Sequence, residues 1–233
     1  MNSSLRSDAN TIIERSIQAV LPDEAVRRAL SGRKFSGRVL LVAAGKAAWQ
    51  MASAAAAQLG DGLCAGVVVT KYDHVKGDIP HCTCYEAGHP VPDENSFAAT
   101  QAALDLVKDA GEGDTVLFLL SGGGSALFEK PLVSGEELQN ITGQLLACGA
   151  DIVEMNTLRK RLSAVKGGRF AQLCAPAKVF AVVLSDILGD PLDMIASGPA
   201  CPDSSTCAQA LAVVEKYHLT LSDAAMELSL IHI

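Results

Sequence analysis

Apolar residues along the chain form short unbroken runs that alternate with longer stretches at helical spacing, a rhythm that holds over most of its length. Ile12, Ile13, Ile17 and Val20 recur with a helical period over residues 7 to 20, with Ser7 or Asp8 available as the cap. Pro22 starts a second, short helix, and the polar, glycine-flanked residues 31 to 37 read as a loop. From Arg38 the run RVLLVAAG ends in glycine and is followed by KAAWQMASAAAAQL, rich in strong helix formers: strand, tight turn, helix. CAGVVVT at 64 to 70 is a second buried strand, and HCTCYEAG at 81 to 88 a third, more alternating one. Asp93 opens a helix that runs to about Asp109, ahead of the strand TVLFLL at 115 to 120. Ser134 with Glu137 three residues on forms a capping box, and the helical pattern continues, interrupted near Gly149, to about Leu162. KVFAVVLSD at 178 to 186 is the next buried strand, and a further helix begins near Ser222.

Strands alternating with helices predict an α/β fold, three layers of α/β/α around a mostly parallel sheet covered on both faces. Composition agrees: 49% hydrophobic and 19% charged excludes a disordered chain, and the low aromatic content, 4%, suits small helices packed tightly over strands. A net charge of −7, with no basic run beyond Arg159, Lys160 and Arg161, argues against a nucleic-acid partner. No apolar run reaches the ~18 residues of a membrane span. MNSSLRSDAN lacks the order of a secretory signal, and the seven scattered cysteines read as free thiols, so a cytoplasmic location without membrane partners is expected. His81, Cys82, Cys84 and His89 are metal-ligand types at a spacing wrong for a zinc knuckle, and plain packing is the expected role of the two cysteines.

Three predicted strand ends finish in small or polar residues, and ligands in open α/β sheets gather at the carboxyl ends of strands. At the first, Gly45 permits a tight turn and Lys46 stands at the mouth of a helix, where it can neutralise a phosphate or carboxylate. The spacing is not that of a Walker A loop, and a lysine on a solvated helix end explains it equally well. At the second, Ser121, Gly122, Gly123, Gly124 and Ser125 let the backbone approach a ligand closely, with amides able to cradle phosphoryl oxygens; a mere connection is the alternative. At the third, Asp186 follows an apolar strand, where it can hold Mg²⁺ or accept a hydroxyl proton, or simply form an Asx turn. Lys160, Lys166 and Arg169 in NTLRKRLSAVKGGRFA could face anions, against a default of a solvated amphipathic helix.

The segments AAGKAA, EAGHPVPDENS, LSGGGSALFEKP, NTLRKRLSAVKGGRFA and LSDILGDPLDMIASGPACPD together resemble the glycerate 2-kinase family, whose α/β domain is joined to a C-terminal MOFRL domain. In order and content they cover nearly all of residues 38 to 217. The resemblance implies transfer of the ATP γ-phosphoryl group to the 2-hydroxyl of D-glycerate, with ATP and Mg²⁺ bound in a cleft between the two domains. Lys46 matches the family's active-site lysine and Asp186 its active-site aspartate. The first is expected to stabilise charge on the phosphoryl group or the glycerate carboxylate, and the second to orient Mg²⁺ or the attacking hydroxyl. The Ser121 to Ser125 loop, with Gly45, Lys160 and Lys166, is expected to contact substrate or phosphate oxygens.

Residues 1 to 227 read as the α/β domain, incomplete and without the MOFRL part, and LSLIHI at 228 to 233 as a non-native tail translated from transposon-end adapter DNA. The family's active-site arginine lies in the C-terminal part, so negligible turnover is expected of these 233 residues alone. Two rival functions remain. A hydroxypyruvate reductase needs a nicotinamide site, but no G-x-G-x-x-G follows a strand with an acidic ribose partner. A non-catalytic module that binds small anions needs only the glycine-rich strand ends.

Overall fold

The computed structural model describes residues 3 to 185 and 187 to 230; Asp186 and the last three residues of the 228 to 233 segment lie outside them. Five parallel strands, β1 (Val39–Ala44), β2 (Leu63–Lys71), β3 (Cys82–Ala87), β4 (Thr115–Leu120) and β5 (Lys178–Val183), form one sheet in the order β3-β2-β1-β4-β5. The central pair, β1 and β4, is buried along its whole length, which is why both read as unbroken apolar runs.

Alternate residues of these strands serve opposite faces. Leu41, Ala43, Leu117 and Leu119 pack under α2 (Pro22–Leu30) and the alanine-rich α3 (Ala48–Leu59). Val42, Ala44, Phe118 and Leu120 face α4 (Glu94–Val107), the short α5 (Gly124–Leu127) and α8 (Arg169–Leu173), where Phe118, Phe128 and Phe170 cluster with ring centroids 4.8 to 5.5 Å apart. The three-layer α/β/α expectation therefore holds. A third apolar cluster joins α6 (Gly135–Ala147), α7 (Ile152–Arg161), α9 (Cys207–Tyr217) and α10 (Asp223–Leu230) beside the sheet. The helix α9 escaped the pattern reading, although Thr206 caps it reciprocally with Gln209.

Three expectations change. The first helix, α1 (Ser3–Ala19), begins earlier than its proposed caps, and its apolar residues Ile12, Ile13 and Ile17 are exposed rather than packed. Strand β5 is only partly buried because, among the described residues, it pairs with β4 alone and forms a sheet edge. Ser134 accepts from the Glu137 amide at 3.2 Å, but the Glu137 carboxylate turns away to the Ser222 amide at 3.0 Å, so the capping box is only half made.

The register of the two central strands determines where their loops emerge. At their amino ends the Arg38 guanidinium and backbone amide both donate to Asp114, at 2.6 and 3.1 Å. At their carboxyl ends the chain leaves β1 for α3 on one face and β4 for α5 on the other, which makes the crevice between them the switch point of the sheet.

Candidate functional site

The two loops at the switch point are interlocked. The Lys46 amide donates to Gly122 O at 2.9 Å, the Ser121 amide to Ala44 O at 3.0 Å, and the Ala47 amide to Ser121 Oγ at 3.1 Å. Gly45 sits where φ is +121°, and a Cβ there would lie 2.2 Å from Ser121 Oγ. Gly45 and Ser121 thus hold the loops together; the Ser121 hydroxyl is spent on Ala47 and is buried.

Above this junction Lys46 is exposed and reaches across Gly123, whose missing Cβ would lie 3.1 Å from Lys46 Cε and 3.1 Å from His89 Nε2. Among the described residues the Gly122 and Gly123 amides have no acceptor. Both glycines line a cleft of 380 Å³ together with His89, Ser125, Arg159 and a largely apolar wall that includes Leu146, Ile152, Met155, Met194 and Ile195. That volume is sufficient for a small ligand. Gly124 packs its α-carbon against Ala196 and Leu120, and forms part of the support rather than the lining.

The segment after β5 supplies the far wall. Ala196, Ser197 and Gly198 all have positive φ, 51°, 63° and 61°, a conformation costly for the first two. Side-chain bonds hold it: Asn156 Nδ2 donates to Met194 O at 3.0 Å, and Ser197 Oγ donates to Asn156 Oδ1 at 2.8 Å. Ser125 Oγ lies 3.2 Å from Ser197 Oγ. With the Ser197 proton directed to Asn156, the Ser125 hydroxyl donates to Ser197 and keeps its lone pairs for the cleft.

The expected site residues therefore separate. Lys46, Gly122, Gly123 and Ser125 come together at one rim, with Gly45, Ser121 and Gly124 beneath them. Lys160 and Lys166 do not join them. Lys160 is fully buried, 3.0 Å from Asp203 and 3.4 Å from Asp193. Lys166 is fully buried, 3.1 Å from Glu129 and donating to Phe128 O at 2.8 Å. Arg169 is engaged by the carbonyl of Ser163. Asp186 falls outside the described residues. Sequence reasoning passed over Arg159, Asn156 and Ser197, and considered His89 only as a metal ligand.

His89 stands at the rim, and partial burial of its ring, then the charges of Lys46, Lys71 and Arg159, push its pKa below the ordinary value. A base whose folded pKa is lowered stays neutral while the unfolded chain takes up the proton. Stability is therefore expected to fall as pH drops below about 6.5, levelling off once folded His89 titrates. His89→Asn should remove that component. Urea melts of both proteins from about pH 8 to about pH 5 measure it, and a pH-independent difference between them would rule it out.

A glycine-rich loop and a lysine meeting at the switch point of a parallel sheet define a doubly wound α/β protein with a cleft where sheets of this kind hold their ligands. The chain belongs to the family described as a domain of unknown function, DUF4147, whose profile matches residues 8 to 229. It is similar, at 58% identity over 222 residues, to a D-glycerate 2-kinase of Thermotoga maritima, covering 94% of this chain and 53% of that protein. A solved glycerate kinase from the same organism superposes with a TM-score of 0.92 at 56% identity, covering 98% of this chain and 55% of the other. At 39% identity over 226 residues the chain is also similar to a protein of Agrobacterium vitis named putative hydroxypyruvate reductase, covering 95% of this chain and 51% of that one. The resemblance to glycerate 2-kinases carried by the motifs is thus borne out, and the chain spans about half the length of these relatives.

Proposed function

We propose that the cleft at the switch point binds ATP and D-glycerate and takes part in transfer of the γ-phosphoryl group to the glycerate 2-hydroxyl. The observation that carries this reading is the convergence of Lys46 with the acceptor-free amides of Gly122 and Gly123 at one rim. Phosphoryl transfer asks little covalent chemistry of a protein; it asks for positioning and for positive charge where the phosphoryl oxygens pass. Lys46 supplies a mobile cation on a rigid turn, and the glycine amides supply fixed donors that no side chain obstructs. The similar proteins named glycerate kinases support the same substrate pair.

Asp186 is proposed to orient Mg²⁺ or the attacking hydroxyl. The described residues contain no group of three His, Cys, Asp or Glu that could form a metal site of their own. No helix among the described residues is long and apolar enough to cross a membrane.

The test is an amide NMR titration of the chain with MgATP and with D-glycerate. Shifts at Gly122, Gly123 and Ser125 are the expected result; binding that leaves this rim unmoved would defeat the proposal. Lys46→Met should weaken ATP binding by about 10- to 100-fold, the loss of one charge-assisted contact. Phosphorus NMR of the same samples should show capture without transfer, the nucleotide remaining intact, as expected of these 233 residues alone; glycerate-dependent formation of ADP and 2-phosphoglycerate would overturn that expectation. NADH in place of ATP should move nothing.

A further inference from the structure

The basic run 159 to 161 divides its labour by helical phase. Ile152, Met155 and Arg159 stand at i, i+3 and i+7 of α7, share one face, and all three line the cleft. Lys160 and Arg161, one and two positions on, turn into the protein. There Lys160 meets Asp203 and Asp193, and the Arg161 guanidinium donates to Ser205 O at 2.8 Å with Asp203 3.7 Å away.

Arg159 differs from its buried neighbours. It is 8% exposed, yet its guanidinium has no hydrogen bond or ion pair with any described residue. Glu129 is near enough to act on it electrostatically, but that carboxylate is held 3.1 Å from Lys166. A guanidinium does not escape such a position by losing its proton, and a buried cation without a partner is costly. Opening onto the cleft, it presents a planar fork of donors to whatever enters.

Resting on the phosphoryl-transfer reading above, we propose that Arg159 receives the carboxylate of the acceptor substrate while Ser125 Oγ accepts a hydrogen bond from one of its hydroxyls, so that the cleft selects a small hydroxy acid. The two anion-binding features have different chemistry. The rim at Lys46, with glycine amides and a mobile cation, suits phosphoryl oxygens, which need several donors. Arg159 shares the cleft wall with Leu146, Ile152, Met155, Met194 and Ile195, and among apolar side chains a single planar fork matches a singly charged, planar carboxylate. Ser125, its proton committed to Ser197, offers only lone pairs and therefore reads a hydroxyl donor. A carboxylate on one side and a hydroxyl directed at the Lys46 rim place the acceptor oxygen toward the donor phosphate.

The experiment is calorimetric titration of the chain and of Arg159→Gln, Arg159→Met and Ser125→Ala with D-glycerate, D-lactate, glycerol, inorganic phosphate and ATP, with thermal melts in the absence of ligand. D-Glycerate affinity should fall at least about 30-fold in Arg159→Gln and about 5-fold in Ser125→Ala, with ATP affinity changed by less than about 2-fold in both. Glycerol should bind none of the proteins. Without ligand, Arg159→Met should melt at a higher temperature than the parent, because an unpaired buried charge has been removed. A purely structural arginine would give the reverse, a lower melting temperature and equal losses for glycerate and ATP, and that overturns the proposal. So does unchanged glycerate affinity in Arg159→Gln, a loss confined to inorganic phosphate, or a parent chain that binds no small carboxylate. D-Lactate binding lost in Arg159→Gln, in a parent that ignores D-glycerate, would sustain the carboxylate receptor while removing glycerate as the substrate.

Discussion

Gly45→Ala should destabilise the protein by about 3 to 5 kcal/mol, a large loss for a one-carbon addition. Two costs combine. An L residue at φ +121° is strained by about 1 to 3 kcal/mol. The added carbon would also lie 2.2 Å from Ser121 Oγ and 2.5 Å from Ser121 O, and the latter is backbone that no rotamer can move. Relief requires the carboxyl ends of β1 and β4 to separate, at the expense of the bonds from the Lys46 amide to Gly122 O and from the Ala47 amide to Ser121 Oγ. Gly143→Ala is the control, since Gly143 lies in α6 with nothing within 4 Å of its would-be Cβ, and it should stabilise by about 0.5 to 1 kcal/mol. Urea unfolding of the three proteins decides the matter. Equal effects of the two substitutions would mean that the β1–β4 junction is looser than the contacts require.

Lys166→Met should cost about 3 to 5 kcal/mol, because it leaves Glu129 buried without its cation. Both side chains are essentially inaccessible, and Glu129 Oε1 already has no hydrogen-bond partner. Burial outweighs the attraction of Glu129 and pushes the Lys166 pKa below its ordinary value, so the pair as a whole is poorly compensated for leaving water. Removing both charges should therefore do less harm than removing one. Lys166→Met with Glu129→Leu should recover most or all of the loss seen in the single variant. A single variant within about 1 kcal/mol of the parent, or a double variant as unstable as the single, would contradict this account. The same geometry explains why Lys166 is unavailable to a ligand despite its place in a basic, glycine-containing segment.

The sequence disclosed the sheet more readily than the site. A strand buried on both faces must be apolar throughout, so 39 to 44 and 115 to 120 could be recognised without knowing their neighbours. The edge position of β5 could not, because KVFAVV is equally apolar and its exposure depends on which strands pair. The apolar stripe of α1 has the period of a packed face yet is exposed, since periodicity reports what a helix could bury and not what covers it.

Local chemistry determined that residues 45, 121 to 125 and 46 would form tight turns carrying a cation at strand ends. Glycine's backbone freedom and the position of a residue after a buried strand act over a few bonds and are written in the chain itself. Only tertiary structure decided which cations serve a ligand. Lys46, Arg159, Lys160 and Lys166 are all basic residues beside suggestive motifs. The carboxylates of Glu129, Asp193 and Asp203 come from distant parts of the chain and engage two of the four, leaving Lys46 exposed at the rim and Arg159 open to the cleft. Charge neutralisation in a buried interior is a matter of ångströms in space, and neighbours along the sequence say little about it.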